Sequence, residues 1–274
     1  MLKTSLPTQK TAWAAIALIA AGCCLVHAKS YTVPSKEASS IGQAMLKAKK
    51  GDTVWVEEGV YREQVYVNPG VALIAKSMFK AKIDGSGRDR VVNMGNHSTL
   101  SGFDVVNGSI GVYSEGAANA VTRCRIRNNL QTGIMAVGHL PRIQDNLIVY
   151  NRGSGIQGWD VRSTIATINH NTIAYNSNHG LSIGGNSDIV VENNILAHNQ
   201  KIGVKIEPTV KITFRNNTFY GNTELVEALP ANNFSCDPMF IAPQLLNFAL
   251  SDSSQCIQRG TDNDNLGARS PYSE

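Results

Sequence analysis

Four short stretches hold the side chains best equipped for chemistry: Tyr113, Trp159-Asp160-Val161-Arg162, His179 and Lys205-Ile206-Glu207. Lys205, His179 and Arg162 supply a base, or the charge that neutralises an anion. Asp160 and Glu207 can hold a cation or accept hydrogen bonds from hydroxyl groups. Trp159 and Tyr113 offer flat faces with a polar edge. A second set, Arg123 and Arg125 with Asp145 and His170, mixes charges of both signs. The histidines lack metal-ligand spacing. Asp262-Asn263-Asp264 lacks the glycine and downstream glutamate of a calcium hand and reads as a turn. No cofactor is demanded by these residues, and calcium is the one metal they leave room for. The stretches lie far apart in the chain, so only a regular fold can gather them.

That regularity is a repeat. Glycine followed by an aliphatic residue recurs at Gly111-Val112, Gly133-Ile134, Gly155-Ile156, Gly180-Leu181 and Gly203-Val204. Asparagine recurs in the same register at Asn107, Asn129, Asn151, Asn176, Asn199 and Asn222. Both markers share one insertion, between Asn151 and Asn176. A third column runs Asn146, Asn171, Asn194 and Asn217, with Cys124 in the same place one coil earlier. Short alternating apolar segments flank it, with Val121, Ile143, Ile168, Val191 and Phe214 as one inward set. Short strands, Gly- and Asn-rich corners and a period near two dozen residues exclude helical repeats. The solution is an all-β, single-stranded, right-handed parallel β-helix of about eight coils, roughly 40 Å long at ordinary strand spacing. Stacked asparagines inside it would bond from coil to coil. Upstream, Ile41, Ala44, Met45 and Ala48 make an apolar helical stripe suited to capping the open end.

The expected organisation is a signal peptide over 1–28, a cap helix within 29–51, the β-helix over 52–235 and a closing segment over 236–274. Lys3 and Lys10 precede an apolar run from Ala12 to Val26, and Val26-His27-Ala28 has the look of a cleavage site. A competing reading takes Ala20-Ala21-Gly22-Cys23 as a lipobox with a lipid anchor on Cys23. Either way the chain is exported, to the periplasm or beyond, or to the outer membrane as a lipoprotein. Losing the two leader lysines takes the formal charge from +4 to +2. With no basic stripe, that argues against a nucleic-acid partner. No long apolar run follows the leader, so no transmembrane segment is expected after cleavage. In an exported chain two of the remaining cysteines can oxidise. Cys236 with Cys256 is the expected disulfide, since Cys124 falls in an inward column.

The segment Ile41–Tyr61, with Gly51-Asp52-Thr53 and Glu58-Gly59-Val60-Tyr61, resembles the start of the pectin-lyase-like right-handed β-helix superfamily. The Asn-rich coils resemble its repeats. Asp237-Pro238-Met239-Phe240 and Leu266-Gly267-Ala268 resemble its closing segment. Together they cover nearly all of residues 36–270. The resemblance implies the fold and a carbohydrate-active role, and the superfamily includes lyases, hydrolases, epimerases and binding proteins. His179-Gly180-Leu181-Ser182-Ile183-Gly184 is similar to a polygalacturonase fragment. The paired acids that hydrolysis needs would fall on Gly153-Ser154-Gly155, where none exists. The best-known pectate lyase and mannuronan epimerase signatures are absent too.

The partner that the resemblance implies is an acidic polysaccharide, bound and cleaved by β-elimination. Lys205, His179 and Arg162 would then serve as base and charge neutraliser, and Asp160 or Glu207 would hold a cation or orient the sugar. Trp159 and Tyr113 would be stacking platforms, and Arg123 and Arg125 a cationic groove. Two readings stay open beside it: a non-catalytic glycan binder and a structural module of the cell envelope.

Overall fold

The computed structural model describes residues 28–162, 166–223 and 231–269. The signal peptide and Cys23 therefore lie outside the described residues, apart from Ala28. The chain winds through three parallel sheets, one strand per sheet per coil. Sheet A stacks nine strands from Ser30–Val33 to Lys211–Arg215. Sheet B stacks eight from Gly59–Tyr61 to Thr218–Tyr220, and sheet C seven from Val65–Val67 to Val204–Ile206. Successive strands of one sheet are about two dozen residues apart, as the repeat requires. Ile126 pairs with Ile148, Ile148 with Ile173, Ile173 with Leu196 and Leu196 with Phe219.

Alternation at strand period sends one side chain in two to the interior. Val121, Ile143, Ile168 and Val191 are fully buried in one column, and Phe214, at its end, is partly buried. The recurring glycine has a steric cause. A Cβ on Gly111, Gly133, Gly155 or Gly180 would lie 2.6–2.8 Å from the carbonyl oxygen of the next glycine in the column. No side chain fits at these four positions, so each must be glycine for the next coil to stack so closely.

In the later coils two corners are pinned by asparagine. Between sheets A and B, Asn171 Nδ2 donates to Ile143 O at 2.9 Å and Asn194 Oδ1 at 3.0 Å. Its Oδ1 accepts from Asn146 N and Nδ2, both at 3.0 Å. Between sheets B and C a second ladder runs Asn129, Asn151, Asn176, Asn199 and Asn222. Asn107 lies outside it, turned toward Asp84. The residue before each ladder position takes the left-handed conformation: Arg123, Asp145, His170, Asn193 and Asn216 at one corner. Cys124 fills the first ladder position. It is fully buried, and burial pushes its thiol up to about 12, so it is an inert packing group.

The helix at the start is short, Ile41–Met45, with Ser40 as its N-cap. It lays Ile41, Ala44 and Met45 against the first coil. Ahead of it Ser30–Val33 is a strand and not part of the helix, pairing with Thr53–Val56. After the last coil, an antiparallel hairpin of Phe240–Ala242 and Asn247–Leu250 leads a tail that runs back over the outer face of sheet B.

Candidate functional site

Sheet C positions four of the candidates on one outer face. Tyr113 pairs with Met135, Met135 with Gln157, Gln157 with Ser182 and Ser182 with Lys205. Tyr113 and Lys205 are thus four strand steps apart, about 19 Å at ordinary spacing. Val137 pairs with Trp159 beside this column. Upstream, Tyr66 pairs with Asn93 and Asn93 with Tyr113, extending the face by two coils.

A depression marks each end of the face. The one at the Lys205 end has a volume of about 290 Å³ and is lined by Gln157, Trp159, Asp160, Ser182, Lys205 and Glu207. Its shape comes from a β-bulge: the strand Ile156–Val161 slips register against Leu181–Gly185 between Gly158 and Val161. Alternation already points Trp159 outward, where it is 61% exposed, and the bulge turns Asp160 outward beside it, in the left-handed conformation. Gly184 leaves room for the Glu207 carboxylate, which a Cβ there would meet at 2.6 Å. Glu207 Oε2 accepts from Gly185 N at 3.2 Å. Arg162 forms a two-pronged, exposed pair with Asp160, at 2.6 and 3.1 Å. His179 stands at the turn before the strand and is not part of the depression wall.

The other depression, about 330 Å³, is lined by Tyr66, Arg90, Asn93, Tyr113 and Glu115 among others. The Arg90 guanidinium carbon sits 3.6 Å above the Tyr113 ring, a favourable cation–π arrangement. Tyr113 also hydrogen-bonds Glu115 at 3.1 Å. Burial, then the Glu115 hydrogen bond and charge, raise the Tyr113 pKa against the opposing pull of Arg90. The phenol therefore keeps its proton at neutral pH and acts as a donor, not a base.

Arg123 and Arg125 are on another side of the coil, and the Arg125 guanidinium is already engaged by a carboxylate. Arg125 and Arg127 both clamp the fully buried carboxylate of Asp104, at 2.9 and 2.8 Å. Burial alone would raise the Asp104 pKa, but the two guanidiniums outweigh it and hold it low. Asp145 and His170, next in the Arg123 column, lie under the tail. Arg269 comes within 3.9 Å of Asp145, and Asp264 within 3.5 Å of His170. Cys236 and Cys256 are free thiols here. Both are buried in one apolar cluster under the tail, sharing a hydrogen bond that lowers the Cys236 pKa and raises that of Cys256. Among the described residues no cluster of three or more His, Cys, Asp or Glu is built to hold a metal. No helix among them is long and apolar enough to cross a membrane.

Arg90, Asn93 and Tyr66 were not legible as part of this face, because the early coils lack the glycine marker that aligns the later ones. Their signal is the alternation in Val65–Val67 and Arg90–Met94, visible once the register is known.

The family model for the right handed beta helix region matches residues 82–234, and the chain belongs to that family. Among solved structures it is similar to pectate lyase Pel9A, with a TM-score of 0.54 and 13% identity over 88% of this chain and 94% of that one. It is similar to a mannuronic acid specific polysaccharide family 6 lyase from human gut microbiota, at TM-score 0.55 and 18% identity. That match covers 70% of this chain but only 54% of the lyase. An alginate lyase from Paenibacillus sp. strain FPU-7 matches at 0.52 and 15%, over 71% of this chain and 77% of that one. At these identities the likeness is one of fold. No curated protein matches the sequence.

Proposed function

We propose that this is an exported protein that binds an acidic polysaccharide along the outer face of sheet C and cleaves it by β-elimination at the Lys205 end. One observation carries the reading: a single sheet face aligns Arg90, Tyr113, Trp159, Lys205 and Glu207 between two depressions. Aromatic side chains cover the apolar faces of sugar rings, and charged neighbours fix orientation. The lyases that share the fold act on pectate, mannuronic acid polymers and alginate by their names.

In the elimination, the Lys205 amine takes the proton from C5 of a uronate. The electron pair left behind forms the C4–C5 double bond. The C4–O bond breaks, and its pair goes to the leaving oxygen, which takes a proton from water. The uronate carboxylate must be neutralised for C5 to acidify. Arg162 is suited to this, since its exposed pair with Asp160 is easily exchanged. Calcium would be a second neutraliser. Asp160 and Glu207 fall short of the roughly six to eight oxygens that it takes, so the glycan and water would complete its shell. His179, before the strand Leu181–Gly185, is the alternative base.

The competing reading is a non-catalytic glycan binder, favoured by the small volume of the Lys205 depression, about 290 Å³. Incubation with polygalacturonate and alginate, with and without calcium, separates the two. Cleavage would raise the ultraviolet absorbance of the unsaturated product, and Lys205→Ala would slow it by roughly 10²–10⁴. Retention of polyuronate with a flat trace would favour the binder. Failure to retain any polyuronate would remove both readings.

A further inference from the structure

The corner between sheets C and A carries a basic niche that the sheet C reading uses only through Arg162. We infer that it is a second oxyanion subsite, taking the carboxylate or sulfate of an acidic glycan. The inference rests on the glycan reading and extends it around the corner from the Lys205 end.

The niche has a volume of about 620 Å³, larger than either depression on sheet C. Among the described residues that line it, the basic side chains are His139, Arg142 and Arg162, and none is a carboxylate. The hollow follows from side-chain size. In sheet A, Thr99 pairs with Ala120 and Ala120 with Arg142. Two small residues thus form a shelf beside the long Arg142 side chain, and Thr167 adds another small wall. The floor is rigid. Asn119 is buried, accepts from Ser98 N at 3.0 Å and donates to Ser114 Oγ at 3.0 Å.

The chemistry selects an oxyanion. Arg142 presents a planar fork of donors, of which one is given to Gln144 at 2.7 Å. A guanidinium in this form takes a carboxylate or sulfate by two parallel hydrogen bonds. Thr99 and Thr167 put hydroxyls within the same hollow for sugar hydroxyls. Arg162 ties the niche to sheet C: it lines the niche while its ion-pair partner Asp160 lines the Lys205 depression. A chain held across Trp159 therefore meets the niche next.

The test uses the mature protein in two arms. In the first, backbone amide signals of Thr99, Asn119, Ala120 and Thr167 are followed by NMR. Galacturonate, glucose 6-sulfate and neutral glucose are each titrated to levels that saturate a millimolar site. Shifts with an anion but not with glucose are expected, and Arg142→Gln should weaken them at least tenfold. The stronger of the two anions identifies the group. Absence of shifts with either anion overturns the niche. In the second arm, polygalacturonate binding at low salt is compared for the wild type, Trp159→Ala and His139→Gln with Arg142→Gln. Several-fold weakening by the double variant supports the niche. Weakening by Trp159→Ala alone overturns the niche and leaves sheet C standing. Small-anion shifts without any polyuronate binding would remove the sheet C reading and keep the niche for another acidic glycan.

Discussion

Sheets B and C are built from the same coils, yet their outer faces have opposite fates. In sheet B, Leu147–Val149, Thr172–Ala174 and Ile195–Ala197 are buried on both sides. The tail covers them with Phe248, Phe240, Leu246, Leu250 and Leu266. Tyr150 and Tyr175 stack at 5.3 Å, Tyr175 and His198 at 4.9 Å, and Phe248 meets both tyrosines edge-on. Sheet C instead shows Tyr113, Met135, Gln157, Ser182 and Lys205, and no described residue of the tail lines either of its depressions. The inner columns are alike, so the outward residues alone decide which face is sealed by the chain and which is left to a ligand.

The contrast can be broken hardest on the closed face. Phe248→Ala is expected to cost about 3 kcal/mol, as for other buried aromatics. It would lower the melting temperature while leaving polyuronate binding unchanged. A parallel loss of binding would show that the two faces are coupled. Next in size is the thiol pair. Oxidised glutathione, which takes up the two electrons and two protons, should join Cys236 to Cys256. Closing a loop of about 20 residues should add about 3 kcal/mol. The mass would fall by two hydrogens, leaving Cys124 as the one thiol that alkylates in denaturant, and three alkylated thiols in the mature protein would refute the pairing.

On the open face, Trp159→Ala should weaken polyuronate binding about tenfold and change stability by less than about 0.5 kcal/mol. A large drop in melting temperature would mean that Trp159 packs and does not bind. The smallest effect is that of pH on the tail. Burial, then the Arg269 charge, lowers the His170 pKa against Asp145, Asp264 and Glu192, and burial lowers that of His198. Neither ring nitrogen of His170 has a hydrogen-bond partner among the described residues. A histidine lowered on folding contributes stability that is complete above its unfolded pKa of about 6.5 and fades as pH falls through the folded value. The protection factors of the Gly267 amide, bonded to Asn193 O, and the Ala268 amide, bonded to Thr172 Oγ1, should therefore fall on acidification. His170→Asn, which suits the left-handed corner, should remove part of that dependence. An unchanged pH profile in the variant would clear His170 of the effect.

The coil and its inward columns were legible because glycine, asparagine and isoleucine repeat for steric and hydrogen-bonding reasons local to each corner. Tyr113, Trp159 and Lys205 could be placed on one face by counting alone. The tail was not so placed, although its signal was present: Leu147-Ile148-Val149 and Ile195-Leu196-Ala197 are continuous apolar runs, the mark of strands covered on both sides. The Arg125–Asp104 clamp escaped because the Asn146 column has no asparagine in the Asp104 coil, where Phe103 precedes Asp104. The bulge at Trp159 escaped because an insertion in sequence does not say how the extra residues are accommodated.

The three corners of the coil are not equal, and this bears on how such a chain can change. The turn from sheet A to sheet B has two residues in each coil from Arg123 onward, and the turn from B to C has six. Both carry an asparagine ladder, so a lengthened turn there would unhook a coil from its neighbours. The turn from C to A carries no ladder and varies in length, as 115–119, 138–141 and 186–187 show. New loops can be grafted at that seam without disturbing the spiral, and it is beside that seam that Trp159, Asp160 and Arg162 sit. A whole duplicated coil would likewise add a rung to the track and lengthen it by about 4.8 Å, so reach and specificity can evolve at separate places.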